Sequence, residues 1–436
     1  MYKVFFITFG CKVSHYETEL LKSCYSDAGF DIINDSSEAD VIVVNSCTVT
    51  GSGDSKSLYS VRKFRREHPH AVIVLTGCVP QAAPEVAEFV PEADIITGTK
   101  DRARLPELTL DSIAERRRIV DISQYGVSDE FECISYVPTD DRTRGFVKIQ
   151  DGCNCFCSYC MIPYARGRCR SKPLDELRNE VEMLAENGRK EIVLTGINIA
   201  FYGEKTGVRL VDAVELCCSV GGIERVRLGS IEPEMINDND LKRLSRLEQF
   251  CPQFHLSLQS GAANTLKMMN RRYTPDDYAE IVGRIRTYFP YAAFTTDIMV
   301  GFPGETEDDF AESMEFAEKI GFSRIHVFQY SPRKGTPAEK MKQIPENVKR
   351  ERAEKMKKLG NRLALNYMNG LVGKTVPVLF ERENSPDFHQ GHAPDYTLIK
   401  ISRKNLKKSL RNCIFYVTIE RADVDCCYGS LSELNC

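Results

Sequence analysis

Cys153, Cys157 and Cys160 stand at C-x3-C-x2-C spacing directly after an apolar run, residues 145–150, that reads as a strand. No other feature of this chain limits its structure so closely. Structural zinc sites usually take four ligands in two separated pairs. Three thiolates set this close instead wrap one corner of an iron–sulfur cubane and leave its fourth iron without a protein ligand. Cys155 lies inside the run and is not assigned as a ligand.

Strand-like runs recur at 191–195, 226–230, 255–259, 294–300 and 324–330, separated by helical stretches such as 174–187, 274–288 and 306–320. With 145–150 they make about six βα units, an incomplete parallel barrel. Thr195 with Gly196, Ser230 with Glu232, Gln259 with Ser260, and Gly301 ahead of Pro303-Gly304-Glu305 stand at strand ends, the positions that line active sites in barrels. An open iron there can take the amino and carboxylate groups of S-adenosylmethionine. Electron transfer to the bound sulfonium would then yield a 5′-deoxyadenosyl radical.

Upstream, apolar runs at 4–9, 41–45, 71–76 and 94–97 alternate with helix-like segments at 16–28, 54–67 and 81–89. Such alternation indicates a doubly wound parallel sheet, whose ligands collect at the carboxyl ends of the strands. Cys11, Cys47 and Cys78 each follow a different strand at that edge. Three thiolates there suit a [4Fe-4S] cluster with one open iron, or a zinc with an open position. The chain holds 17 cysteines, an odd number, and lacks both a secretion signal and an unbroken apolar span. A disulfide framework and a membrane anchor are therefore not expected, and a reducing, cytoplasmic setting is. The net charge of −4 requires any nucleic acid to be held by local basic patches.

The residues Thr8-Phe9-Gly10-Cys11-Lys12-Val13, Asn45-Ser46-Cys47-Thr48-Val49-Thr50, Thr76-Gly77-Cys78 with Gln81, and the run from Gln150 to Gly167 resemble the radical S-adenosylmethionine methylthiotransferases. The resemblance spans essentially the whole chain. It implies an N-terminal methylthiotransferase domain, a radical core and a small C-terminal β-barrel called a TRAM domain. It further implies two [4Fe-4S] clusters, an auxiliary one on Cys11, Cys47 and Cys78 and a radical one on Cys153, Cys157 and Cys160. Tyr159 would lie near the adenine of S-adenosylmethionine, with Thr195, Gly196, Ser230 and Gln259 as further cofactor contacts. Members attach a methylthio group to C2 of a modified adenosine in tRNA or to a ribosomal-protein aspartate. The Gly-Cys-Lys-Val and Cys-Thr-Val-Thr segments are similar to the branch acting on N6-threonylcarbamoyladenosine at position 37, although Ser14 stands where that branch commonly has Asn. The implied partners are the tRNA anticodon loop and an electron donor protein. The alternatives are the same chemistry on N6-isopentenyladenosine or a ribosomal-protein aspartate, and a non-catalytic RNA-binding redox sensor.

Residues 347–369 read as an amphipathic helix rich in Lys and Arg, and 374–436 as a small all-β barrel. Between Tyr396 and Asn412 stand six basic residues, Lys400, Arg403, Lys404, Lys407, Lys408 and Arg411, and no acidic one. Such a stripe is an RNA-backbone footprint. The expected boundaries are 1–112 for the first domain, 113–138 for a linker, 139–370 for the core and 371–436 for the barrel. The expected class is α/β, with a doubly wound sheet, a partial (β/α)6 barrel and the all-β tail.

Overall fold

The computed structural model describes residues 1–48, 51–134, 136, 142–233, 236–382, 385–404, 406 and 408–432. Six strands open the chain: β1 (Lys3–Thr8), β2 (Asp31–Ile33), β3 (Val41–Ser46), β4 (Val72–Gly77), β5 (Ile95–Thr97) and β6 (Ile119–Asp121). They form one parallel sheet in the order β2-β1-β3-β4-β5-β6. Helix Gly51–Glu67 puts Val61 and Phe64 on Ile42, Val44 and Ile73 on one face. Helix Lys12–Asp27 puts Leu21 and Tyr25 on Val4, Val41 and Val43 on the other. β3 is thus buried at every residue, which is why it reads as a continuous apolar run.

Two expectations need correction here. The stretch 113–138 is not wholly a linker: it begins inside helix Leu105–Glu115 and contains β6, the sheet's sixth strand. Three residues with only Ile119 buried leave no periodicity to read. The single helix at 81–89 is two short ones, Cys78–Ala82 and Val86–Phe89. Pro84 divides them by holding the preceding Ala83 out of helical conformation at φ −141°. The boundary at 139 lies outside the described residues.

The central strands are β7 (Arg144–Asp151), β8 (Arg170–Ser171), β9 (Glu191–Gly196), β10 (Arg225–Leu228), β11 (Ser230–Ile231), β12 (Gln253–Leu256), β13 (Ala293–Val300) and β14 (Arg324–Gln329). Parallel runs β7-β9-β10 and β11-β12-β13-β14 make the wall of a partial barrel, with β8 antiparallel beside β7. The strand expected at 226–230 is broken at Gly229, where the wall divides. Phe294, Ile298 and Val300 of β13 join the outer helices in the largest apolar cluster. The intervening Asp297 and Met299 line an inner cavity.

Helix Glu346–Asn369 leads to a closed barrel of β15 (Thr375–Phe380), β16 (Phe388–His392), β17 (Leu398–Ser402), β18 (Ile414–Ala422) and β19 (Cys427–Leu431), in the order β15-β16-β17-β19-β18. Arg225 donates to His392 O (2.8 Å) and Pro377 O (2.9 Å), and Arg227 to Pro394 O (2.8 Å) and Ala393 O (3.3 Å). Two arginines at the start of a core strand thereby seat the C-terminal barrel. Among the described residues no helix is long and apolar enough to cross a membrane.

Candidate active site

Strands β1, β3 and β4 are adjacent and parallel, so Cys11, Cys47 and Cys78, just past their carboxyl ends, come to one edge. That edge is the crevice where the chain switches sides of β1, the place where such sheets bind ligands. Gly10 has φ +117°, and a Cβ there would lie 2.6 Å from Cys47 Sγ. Only glycine admits the cysteine this close. The neighbouring Cys47 thiol and the N–H groups of Ser14 and Val13 lower the exposed Cys11 to about 5. Ser14, the departure noted above, is buried, and its carbonyl accepts from Asn45 Nδ2 at 3.0 Å. Burial raises Cys78, whose sulfur accepts from Arg166 Nε at 3.2 Å and Nη2 at 3.1 Å.

Behind this edge lies an ionic network that the sequence did not disclose. Glu17 accepts from Arg166 Nη2 (2.9 Å), Arg102 Nη2 (2.8 Å) and Lys148 Nζ (2.9 Å). Lys148 also reaches Asp151 (3.0 Å), and Arg102 reaches Glu132 (2.6 Å). All of these except Glu132 are buried. Buried charges persist only when paired and hydrogen-bonded, and each cation here has a carboxylate. The network spans residues 17 to 166, so no local spacing could reveal it.

Cys153, Cys157 and Cys160 lie together on the loop after β7, beside the buried Cys155 and Cys169. Their sulfurs are met by N–H donors: Cys155 N to Cys153 Sγ (3.4 Å), Ile162 N to Cys160 Sγ (3.4 Å) and Arg271 Nη1 to Cys157 Sγ (3.3 Å). The Cys155 thiol lowers Cys153 to about 7, while burial lifts Cys160 to about 12. Arg271 is itself held by Glu232 and by Tyr273 (3.0 Å). A guanidinium and backbone N–H groups aimed at sulfur stabilise thiolate ligands. In both places the donor set fits an iron–sulfur cluster with three protein sulfurs.

A cavity of about 610 Å³ touches both regions, lined by Thr48, Tyr159, Cys160, Gln259, Asp297 and Met299 among others. Tyr159 and Gln259 are therefore at the cavity. Thr195 is buried near the end of β9, Gly196 closes that strand, and Ser230 is exposed at the start of β11. None of these three lines the cavity. Asp297 was not foreseen. Gln253 Nε2 donates to Thr295 Oγ1 (2.8 Å), which is hydrogen-bonded to His255 Nδ1 (3.0 Å), and His255 Nε2 lies 3.3 Å from Asp297 Oδ2. His326 completes this His-Asp-His group. A separate cavity of about 250 Å³ among the outer helices carries none of the six cysteines.

On the C-terminal barrel, Lys404 and Lys408 are exposed, whereas Lys400, Arg403 and Arg411 are half-buried. Lys407 lies outside the described residues.

Residues 147–317 match the Radical SAM superfamily, and residues 3–98 match Uncharacterized protein family UPF0004. The chain is 37% identical over 91% of its length to Threonylcarbamoyladenosine tRNA methylthiotransferase MtaB of Bacillus subtilis (strain 168), covering 89% of that protein. The like-named protein of Thermotoga maritima is 38% identical over 86% of this chain and 85% of its own. The chain belongs to the radical SAM tRNA methylthiotransferases. A second branch of this family also aligns: tRNA-2-methylthio-N(6)-dimethylallyladenosine synthase of Caldicellulosiruptor saccharolyticus is 35% identical over 86% of this chain and 81% of its own. Among solved structures, the radical S-adenosylmethionine methyltransferase TsrM from Kitasatospora setae superposes with TM-score 0.57 at 15% identity, over 78% of this chain and 75% of that one. The cobalamin-dependent enzyme OxsB gives 0.51 at 12%, over 83% and 56%. At these identities the two share the fold.

Proposed function

We propose that this protein is a transferase that converts N6-threonylcarbamoyladenosine at position 37 of tRNA to its 2-methylthio derivative. One observation carries the reading: a single cavity is bordered by Cys160 of one three-cysteine set and by Thr48, next to Cys47 of the other. Cys153, Cys157 and Cys160 would hold the radical cluster, and Cys11, Cys47 and Cys78 the auxiliary one. When bound, the clusters and S-adenosylmethionine supply the 5′-deoxyadenosyl radical and the methylthio sulfur, chemistry that acid–base side chains cannot perform at an unactivated C2–H.

The chain's own residues bind, orient and enclose. Tyr159, half-buried at the cavity wall, offers a ring face to the cofactor adenine, and Gln259 a side-chain amide. Thr195, Gly196 and Ser230 stand at strand ends as further cofactor contacts. Arg166 and Arg271 fix the Cys78 and Cys157 sulfurs by hydrogen bonds. Asp297, aimed by His255, presents an acceptor to amino or hydroxyl groups of a bound nucleoside. The basic face of the C-terminal barrel, with Lys400, Arg403, Lys404, Lys408 and Arg411, would follow the RNA backbone. We place the reaction in the cytoplasm, with an electron donor protein as second partner.

Mass spectrometry of tRNA nucleosides from cells with and without the protein tests the reading. Loss of 2-methylthio-N6-threonylcarbamoyladenosine, with its unmethylthiolated precursor accumulating, is the expected result. Loss of the isopentenyl counterpart alone would overturn it.

A further inference from the structure

The inner face of the core is polar, and most of its cationic groups have a carboxylate, in two cases a shared one. Glu191 pairs with Arg227 (3.0 Å) and Arg225 (3.7 Å), Glu381 with His392 (2.8 Å) and Arg144 (3.2 Å), and Asp297 with His255. Lys12 stands over the Tyr396 ring at 6.0 Å, the ring on which Arg144 (5.0 Å) and Arg227 (4.7 Å) also lie. It is within electrostatic range of His326 as well. Among the described residues no carboxylate pairs with it. Lys12 is exposed as a residue, and Tyr396, Arg144 and Arg227 are the groups that flank its ammonium.

Three parts of the molecule converge on this ammonium: Lys12 from the N-terminal layer, Arg144 and Arg227 from the core, and Tyr396 from the C-terminal barrel. Tyr396 is fixed there at φ +69° and stacked on His392 with ring centroids 4.6 Å apart. A bulky residue held in the left-handed region is strained. The surrounding contacts must offset that strain, so the ring is held in place beside Lys12. Cations gathered with one left unmatched are a receptor for an anion.

We propose that Lys12 reads the substrate's N6 substituent by pairing its ammonium with the carboxylate of the threonylcarbamoyl group. The inference rests on the function proposed above and adds to it the residue that selects the substrate. Lys12 directly follows Cys11, and C2 and N6 of adenine lie on the same edge of the ring. Lys12 is not itself among the residues lining the cavity of about 610 Å³, but His326, within its electrostatic range, groups with Asp297, which is. A base that turns C2 toward Cys11 would therefore carry its N6 substituent toward Lys12. An uncharged substituent would desolvate the ammonium and return nothing, which disfavours it.

The test compares anticodon stem-loop RNAs carrying N6-threonylcarbamoyladenosine or the same nucleoside with its carboxylate converted to the amide. Wild-type protein should favour the acid by about 10- to 100-fold in kcat/KM and in equilibrium binding followed by fluorescence anisotropy. Lys12→Gln should bring both ratios to about one, and Lys12→Arg should retain the preference. Because each readout is a ratio on one preparation, partial loss of clusters divides out. A Lys12→Gln protein that keeps the wild-type ratio overturns the assignment. An equal loss on both RNAs also overturns it, and would assign Lys12 to a backbone phosphate. Wild-type protein that methylthiolates neither RNA would instead remove the proposed function, and this subsite with it.

Discussion

Arg166 donates through Nε and Nη2 to the Cys78 sulfur at 3.2 and 3.1 Å, so a residue of the radical core holds a cysteine of the N-terminal layer. The same guanidinium pairs with Glu17 on the first helix. One buried side chain thus ties the short helix Ile162–Arg166, which follows Cys153, Cys157 and Cys160, to the edge that carries the other three cysteines.

Replacing Arg166 with Gln should leave Glu17 buried with one cation fewer and strip two donors from Cys78. Breaking a buried pair on one side costs about 3–5 kcal/mol, which thermal unfolding would register as a clear fall in Tm. Deoxyadenosine release should persist while methylthio transfer fails. Arg166→Lys keeps the charge but not the planar fork and should fall between.

Acid stability should depend on Glu17. Burial alone would raise its carboxyl, but Arg102, Arg166 and Lys148 overcome this and hold it at about 2, against 4.5 for the free group. A depressed value stabilises the fold above the free value and loses that contribution as pH falls from about 4.5 toward 2. The full shift corresponds to about 3 kcal/mol. Denaturant titrations of cluster-free protein at descending pH should show this acid limb. Glu17→Gln should flatten it and lower stability near neutrality.

The two cysteine sets should separate by product. Cys157→Ala removes a radical-site sulfur and should abolish both deoxyadenosine formation and methylthio transfer. Cys47→Ala should spare deoxyadenosine formation while ending transfer. Iron and sulfide analysis should find each variant with about half the wild-type content. Retained deoxyadenosine release in Cys157→Ala would remove the assignment.

What the sequence disclosed follows from where the chemistry sits. The six cysteines stand at strand ends, and strands such as β3 are buried on both faces, so run and ligand lie side by side in the chain. The Glu17–Arg102–Lys148–Arg166 network draws its members from residues far apart, and no short window contains Glu17 with any of its three cations. Nothing near Arg225 and Arg227 in the chain explains them, because the surface that takes them, around His392 and Ala393, lies some 165 residues on. β16, Phe-His-Gln-Gly-His, lacks apolar alternation because only His389 and Gly391 turn inward. Lys12 looked like part of a motif; only the folded chain leaves it without a carboxylate.

The docking of the C-terminal barrel decides how the RNA contact proposed for it should be tested. Deleting residues 371–436 would be expected to weaken tRNA binding without removing either cluster, but it would also expose Arg225 and Arg227, which the barrel's carbonyls now satisfy. Point changes on the exposed face avoid this. Lys404 and Lys408 are exposed, and no salt bridge to either is found among the described residues. Lys404→Ala with Lys408→Ala should therefore leave the fold and the clusters intact. If each lysine neutralises a phosphate, the slope of log affinity against log salt should become shallower by about 1 to 2. Binding should weaken most at low salt, where released counterions contribute most. An unchanged slope with unchanged affinity would move the RNA footprint off this face of the barrel.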